Sequence, residues 1–220
     1  MADSKFSIGD AVSFSWDAMK NNLGFFIPAV LILFVVGAIP GGFQSMSAYM
    51  GTALAAIWSL IFGIISFVVG TFINMAQIRI GLKFCDSQVA DFPDMVSDYP
   101  RFLDFLVGSI LYFLIVLGGL ILLIIPGIYW AVRYHFFGYL ILDQGMSPVD
   151  AIKKSGQITR GSWWHLFVFS LAMFGIWILG FLACCVGILF AFPVILVSIA
   201  YVYRSLLAAA PAVQEPPAVQ

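Results

Sequence analysis

One arginine lies within the apolar part of this sequence, and its charged side chain could bind a ligand. Arg133 stands in the segment YWAVRYH, together with Trp130, Tyr134 and His135. A guanidinium binds anions through paired hydrogen bonds, and aromatic rings stack on it. Because an ionised side chain in a membrane segment is costly, it indicates a function by default. The four residues therefore predict contact with an anionic lipid headgroup or substrate.

A structural role accounts for the same arginine. Arg133 lies about six residues, roughly 9 Å along a helix, from the outer end of its predicted span. Its side chain can extend to the interface, where the neighbouring aromatic residues would form part of the interfacial belt. The nearest following acid, Asp143, is far along the chain. Anchoring and ligand contact both remain open.

The other reactive residue types form no recognisable set. His135 and His165 are the only histidines, and the three cysteines, Cys85, Cys184 and Cys185, make no disulfide framework. The HExxH, G-x-S-x-G, P-loop and Rossmann patterns are all absent. The sequence therefore predicts no catalytic residue, no metal site and no cofactor.

Polar residues elsewhere have ordinary interpretations. Asn74 and Gln77, near the end of an apolar stretch, are expected to form hydrogen bonds between helices. A solvated acidic loop, rather than a cation site, is expected from the aspartates at Asp86, Asp91, Asp94, Asp98 and Asp104.

Composition places these residues in a membrane. Of the 220 residues, 62% are hydrophobic and 10% are charged, and the mean hydropathy is +1.05. A soluble chain of this length cannot bury so much apolar surface. The net charge of -1 offers no basic field for nucleic acid. Soluble enzymes, disordered chains and nucleic-acid binders are therefore excluded.

Charge spacing predicts about six spans. Charges are absent between Lys20 and Arg79 and again between Arg160 and Arg204, and a helix needs about 20 apolar residues to cross the hydrocarbon core. The Pro-Gly pairs at Pro40 and at Pro126 mark turns. The predicted spans are 23–40, 51–78, 103–125, 128–142, 163–183 and 187–206. The fourth is short for a full crossing.

Basic residues predict the orientation. Lys and Arg flank the spans on one side, and the three opposite connections contain neither residue. By the positive-inside rule both termini are cytoplasmic. We expect an integral membrane domain over 1–207 and a disordered cytoplasmic tail over 208–220, and no signal peptide is predicted.

Two amphipathic segments, 7–22 and 147–160, resemble each other and each runs into a span. Ser7, Asp10, Ala11, Val12, Ser15 and Lys20 match Ser147, Asp150, Ala151, Ile152, Ser155 and Arg160. The Ser-x-x-Asp starts predict helix caps. Interfacial helices are predicted, with apolar faces formed by Ile8, Val12, Trp16, Met19 and Leu23 in the first segment and by Ala151, Ile152, Ser155, Ile158 and Thr159 in the second.

A third, weaker copy would make the repeat parallel. Asp91 and Arg101 keep the separation of Asp10 and Lys20, although Pro93 interrupts the segment. Three units, each a cytoplasmic segment followed by a two-span hairpin, would keep one orientation about an axis along the membrane normal.

The stretch Leu122–Leu171 resembles uncharacterised prokaryotic membrane families, including the membrane domain fused to some glycerophosphodiester phosphodiesterases. The shared pattern is Pro-Gly, a span with an arginine and aromatic residues, then an Asp, a Pro and an Ala-led helix before a new span. The resemblance implies a six-span prokaryotic membrane module. It brings no established activity and no catalytic residue.

The sequence thus predicts an all-α, polytopic transmembrane bundle of the prokaryotic inner membrane. Its expected function is non-enzymatic: organising or sensing lipid, or stabilising a membrane partner or a second copy. The alternative is a small transporter or channel subunit for an anionic or amphipathic solute, favoured by the repeat and by Arg133. An intramembrane enzyme is a third hypothesis, which the missing catalytic set disfavours.

Overall fold

The computed structural model describes residues 6–49, 51–88, 90–183 and 186–210, and these ranges are almost entirely helical, with no strand among them. The helices are α1 (Ile8–Asn21), α2 (Leu23–Ser45), α3 (Thr52–Cys85), α4 (Phe102–Leu122), α5 (Ile124–Tyr134), α6 (Phe137–Gln144), α7 (Pro148–Ile158), α8 (Trp163–Leu182) and α9 (Val186–Ala209). Short 3-10 turns span Met46–Tyr49, Phe92–Val96 and Tyr99–Arg101. The predicted all-α bundle is confirmed.

Five of these helices are long and apolar enough to cross a membrane: α2, α3, α4, α8 and α9. Helix α2 continues through Pro40, where the sequence predicted a turn. Isolated prolines are tolerated in membrane helices because neighbouring groups satisfy the freed carbonyl. The predicted turn at Cys184 and most of the predicted tail lie outside the described residues, and Ala208 and Ala209 still belong to α9.

The fourth apolar segment differs from the single span predicted over 128–142. It consists of α5 and α6, with a two-residue break at residues 135–136. Both pieces run antiparallel to α4. At one end a Cβ added to Gly119 would lie 2.9 Å from Cα of Gly127, and at the other the Arg101 guanidinium donates to the carbonyl of Leu142. The segment therefore follows α4 from end to end in two pieces.

Hydroxyl groups from neighbouring helices satisfy the carbonyls in the last turn of α5. The Tyr112 hydroxyl donates to the Ala131 carbonyl at 3.0 Å. Ser155 of α7 donates to the Arg133 carbonyl at 3.1 Å. The hydroxyl of Thr159, just after α7, lies 3.0 Å from the same carbonyl and 2.8 Å from the Ser155 carbonyl, so it can donate to either. Carbonyls without partners are expensive in a low-dielectric medium, so these bonds make the break tolerable.

Two regions of small residues bring α1 and α7 against the bundle. Helix α7 buries Ala151, Ile152, Ser155, Gly156 and Ile158, in agreement with its predicted face. Helix α1 buries Ala11, Ser15 and Met19 against α9.

The bundle covers only part of the apolar face predicted for α1: Met19 is buried, whereas Trp16 is 46% exposed. The physical reason is close approach: the Ser198 hydroxyl of α9 donates to Oγ of Ser15 at 2.9 Å, which only small side chains on this face permit. The indole is left on the outer side of the helix.

Ion pairs gather where α3, α6 and α9 end. Arg204 of α9 donates to Asp86, just after α3, and to Asp143 of α6, with closest distances of 2.6 and 2.7 Å. Arg79 pairs with Asp98, whose side chain is buried. Lys83 pairs with Asp94 at 2.7 Å. The expectation of a simply solvated acidic loop is therefore wrong for Asp86, Asp94 and Asp98, which tie the loop to the bundle.

Candidate functional site

Helices α4, α5 and α7 enclose an open groove of ≈ 560 Å³. We call it the Arg133 groove. Trp130, Arg133 and Tyr134 of α5 line it together with Lys153 of α7, and Leu114 and Leu122 of α4 are on its wall. Three of the four residues predicted to contact a ligand thus share one groove, where basic groups meet an apolar helix.

Arg133 is held by aromatic residues rather than by an acid. Its Nη1 donates to the Tyr129 hydroxyl at 3.0 Å, and its guanidinium carbon lies 5.6 Å from the Tyr129 ring centroid and 5.7 Å from that of Tyr134. Its Nε is buried and has no hydrogen-bond partner. Within the described residues, no carboxylate forms an ion pair with Arg133. The cation is therefore positioned but not neutralised.

Lys153 adds a second positive charge to the groove. Its side chain is exposed, and no described acid pairs with it either. Two basic groups that converge without a carboxylate between them favour an anion, and phosphate suits a guanidinium in particular. The groove can therefore hold a phosphate-bearing group against α5 and α7.

A glycine sets how closely α7 approaches α5. A Cβ added at Gly156 would lie 2.9 Å from Cε1 of Tyr134 and 3.3 Å from Nε of Arg133. Any larger side chain would displace the Tyr134 ring and the Arg133 guanidinium or push the two helices apart. The position of Arg133 in the groove thus depends on this residue as well as on the rings that contact it.

Aromatic rings continue from Arg133 to the start of α8. The Tyr129 and Trp163 ring centroids are 5.6 Å apart, and those of Trp163 and Trp164 are 5.9 Å apart. Tyrosine and tryptophan are enriched where the apolar core of a membrane meets the headgroups. An arginine that extends to the membrane interface would be surrounded by such rings. The aromatic residues therefore support both the anchoring hypothesis and the headgroup-contact hypothesis.

His135 does not join the groove. It lies at the break between α5 and α6 and lines two other cavities, away from Arg133. The prediction that it contacts the same ligand is therefore not supported by its placement. Lys153 was missed by the sequence analysis because no local pattern distinguishes it from Lys154; its proximity to Arg133 arises only when α7 folds back on α5.

Other candidate chemistry is sparse. Cys85 packs at the end of α3, where its thiol contacts the carbonyl of Val197 at 3.6 Å. Across the ranges that the structure describes, no three His, Cys, Asp or Glu side chains are grouped so that they could share a metal ion.

Three mycobacterial proteins are similar to this chain. "Uncharacterized protein Mb2590" of Mycobacterium bovis and "Uncharacterized protein MT2637" of Mycobacterium tuberculosis are each 28% identical to it, and "Uncharacterized protein Rv2560" of Mycobacterium tuberculosis is 27% identical. Each alignment covers 94% of this chain and 70% of the relative. No family model and no solved structure matches the chain. The similarity thus extends over nearly the whole membrane bundle.

Proposed function

We propose that this protein is a non-enzymatic membrane module that binds an anionic phospholipid in the Arg133 groove, and thereby organises or senses lipid. The phosphate would contact Arg133 and Lys153, and an acyl chain would lie along the apolar side chains of α4, among them Leu114 and Leu122. A cationic wall facing an apolar wall matches a molecule that has one charged end and one apolar end.

The observation that carries the proposal is the unneutralised arginine. Elsewhere in the described bundle Arg79 and Arg204 pair with aspartates, as buried or half-buried charges generally do. Among the residues that the structure describes, the Arg133 side chain has only tyrosine partners, and its Nε is unbonded. An anion supplied by the bilayer would complete its hydrogen bonding.

The wider proposal concerns the setting of the groove. The chain resides in a prokaryotic inner membrane with both termini in the cytoplasm, and α1 and α7 lie at the cytoplasmic interface. Three parallel units build the bundle. In support of the repeat, α1 packs on α9, the turn Phe92–Val96 packs on α3, and α7 packs on α5 and α6. Each leading segment thus contacts the last helices of another unit, in cyclic order.

Lipid that co-purifies with the protein tests the proposal. After extraction in mild detergent, Arg133→Gln should carry several-fold less anionic phospholipid than the wild type, and Lys153→Gln should lose less. Lys154→Gln is the matched control, since it removes the adjacent charge of the same helix without lining the groove. Equal anionic lipid in all four proteins would overturn the proposal.

The alternative, a small transporter for an anionic or amphipathic solute, is favoured by the break in the fourth segment. Broken helices in membrane proteins commonly line a substrate path. Uptake of an anionic solute by proteoliposomes, abolished in Arg133→Gln and retained in Lys154→Gln, would support this alternative. If the protein retains lipid but takes up no solute, the result would support the lipid-binding module over the transporter.

A further inference from the structure

A second cavity lies at the break between α5 and α6, between α3, α4 and α9. Its volume is ≈ 400 Å³, within the range typical of small-molecule sites. The polar side chains that line it are Asn74, Gln77, Ser109, Tyr112 and His135. A smaller cavity of ≈ 210 Å³, on the side of α8, also reaches His135. The imidazole thus stands where the two spaces meet.

Several of these polar groups have hydrogen-bonding capacity to spare. The hydroxyls of Ser109 and Tyr112 donate to the carbonyls of Phe105 and Ala131, which leaves their oxygen lone pairs free to accept. Asn74 donates to the Gly70 carbonyl and keeps its own carbonyl oxygen for another donor.

Two side chains in the lining make no hydrogen bond to any described protein group. These are Gln77 and His135, whose amide and imidazole can both donate and accept. Polar side chains between membrane helices normally find partners, because an unbonded group there costs free energy. The missing partners therefore point to a bound molecule in the cavity.

The charge of the lining restricts what that molecule can be. Among the described residues that line the cavity there is no Asp, Glu, Lys or Arg. The rest of the wall is largely apolar and includes Phe105, Phe137 and Ile195. An ion would lose its hydration here without gaining a counter-charge, which is far more costly than the desolvation of a neutral polar group.

We propose that this cavity binds a small uncharged solute that both donates and accepts hydrogen bonds, with Gln77 and His135 as its main contacts. The site is separate from the Arg133 groove in both position and chemistry. The groove takes a charged amphiphile against an exposed wall, whereas the cavity takes a neutral polar molecule between spans. The two proposals can therefore fail independently.

Cysteine accessibility tests the proposal in the full chain within liposomes. In a background with Cys85, Cys184 and Cys185 replaced by alanine, Ser109→Cys places a thiol in the cavity. The probes are hydroxyethyl methanethiosulfonate, which is uncharged, and sulfonatoethyl methanethiosulfonate, which is anionic. For each reagent we divide its rate at Ser109→Cys by its rate with free cysteine. We expect this ratio to be at least about tenfold larger for the uncharged reagent, which corresponds to a free-energy difference of only about 1.4 kcal/mol.

Ile110→Cys is the matched control. Ile110 follows Ser109 on α4 at nearly the same depth, is 43% exposed on the outside of the bundle and does not line the cavity. Its thiol should face lipid and react slowly with both reagents. Equal reactivity of Ser109→Cys and Ile110→Cys, or equal rates with the two reagents at Ser109→Cys, would overturn the proposal.

A second substitution tests the role of the imidazole. In the Ser109→Cys protein, His135→Leu should slow the uncharged reagent several-fold because it replaces a polar contact with an apolar group of similar size. His135→Gln should preserve most of the rate, since it restores a donor and an acceptor. The same loss with Gln and with Leu would contradict the assignment of His135 as a hydrogen-bonding contact.

Discussion

Helices α1 and α7 begin alike and end in different surroundings. In each, a serine caps the N-terminus: Oγ of Ser7 accepts from the amide of Asp10, and Oγ of Ser147 from that of Asp150, both at 3.3 Å. In each, the matched alanine and serine four positions apart are fully buried. The shared sequence signature therefore specifies a shared local geometry, with a capped helix that presents a face of small residues.

The partners of the two serines differ. Ser15 meets the Ser198 hydroxyl of the continuous helix α9, whereas Ser155 donates to the Arg133 carbonyl at the end of the interrupted segment. The residue that follows each serine differs too: exposed Trp16 in α1 corresponds to buried Gly156 in α7. Two helices of the same kind therefore differ in role: α1 serves for packing alone, whereas α7 holds Arg133 at the groove.

The largest difference between the two helices should appear at that following residue. Gly156→Val forces a side chain against Tyr134 and Arg133, and overpacking of this kind costs about 2–3 kcal/mol. Trp16→Val should change stability by less than about 0.5 kcal/mol, apart from any loss of membrane contact, because position 16 is at the surface. Unfolding titrations with sodium dodecyl sulfate measure both. Similar losses of stability at positions 16 and 156 would contradict the proposed difference between α1 and α7.

The serine contacts should differ by a smaller amount. Removing both donors to the Arg133 carbonyl with Ser155→Ala and Thr159→Val should cost about 1–2 kcal/mol, because a buried carbonyl is left unbonded. Each single change should cost clearly less than half of that, since the other donor remains. Strictly additive single costs in the same titrations would show that the two hydroxyls do not share the carbonyl.

Ser15→Ala provides the comparison on α1. The Ser198 hydroxyl can still donate to the Ala11 carbonyl, at 3.4 Å, so the loss should be no greater than about 1 kcal/mol. It should also leave lipid retention at the wild-type level, unlike the double change on α7. A loss of bound anionic lipid in Ser15→Ala would mean that the two helices are not functionally distinct.

The smallest expected difference between the two helices is at their N-terminal caps. Ser7→Ala and Ser147→Ala each remove the side-chain acceptor of the same N-cap hydrogen bond, and each should lower stability by about 1 kcal/mol. Ser147 also donates to the Asp150 carboxylate at 2.7 Å, an exposed bond that should add little. The pair sharpens the comparison because it separates what the two similar sequences specify from what the packing partners add. Costs that differ widely between the two caps would indicate that the two similar segments are not equivalent even at their N-termini.

Local sequence signals explain why the helices, caps and small-residue faces could be predicted. The apolar spans follow from the length of the uncharged stretches, and the buried face of α7 follows from the helical periodicity of its apolar residues. The exposure of Trp16 could not be predicted, because an amphipathic face does not say whether lipid or another helix covers it. In α1 the covering surface is α9, which selects small side chains.

Long-range contacts decided the remaining features. The break at residues 135–136 depends on hydroxyls from Tyr112, Ser155 and Thr159, which come from two other helices. The approach of Lys153 to Arg133 and the pairing of the loop aspartates likewise join residues distant in the chain. The spacing of residues along the sequence does not indicate these contacts.

Native mass spectrometry of delipidated protein titrated with phosphatidylglycerol or phosphatidylcholine tests the central claim most directly. The wild type and Lys154→Gln should bind phosphatidylglycerol in preference to phosphatidylcholine, and Arg133→Gln should lose most of that preference while its binding of phosphatidylcholine stays unchanged. A preference for phosphatidylglycerol that survives in Arg133→Gln would contradict the assignment of the Arg133 groove as the anionic-lipid site.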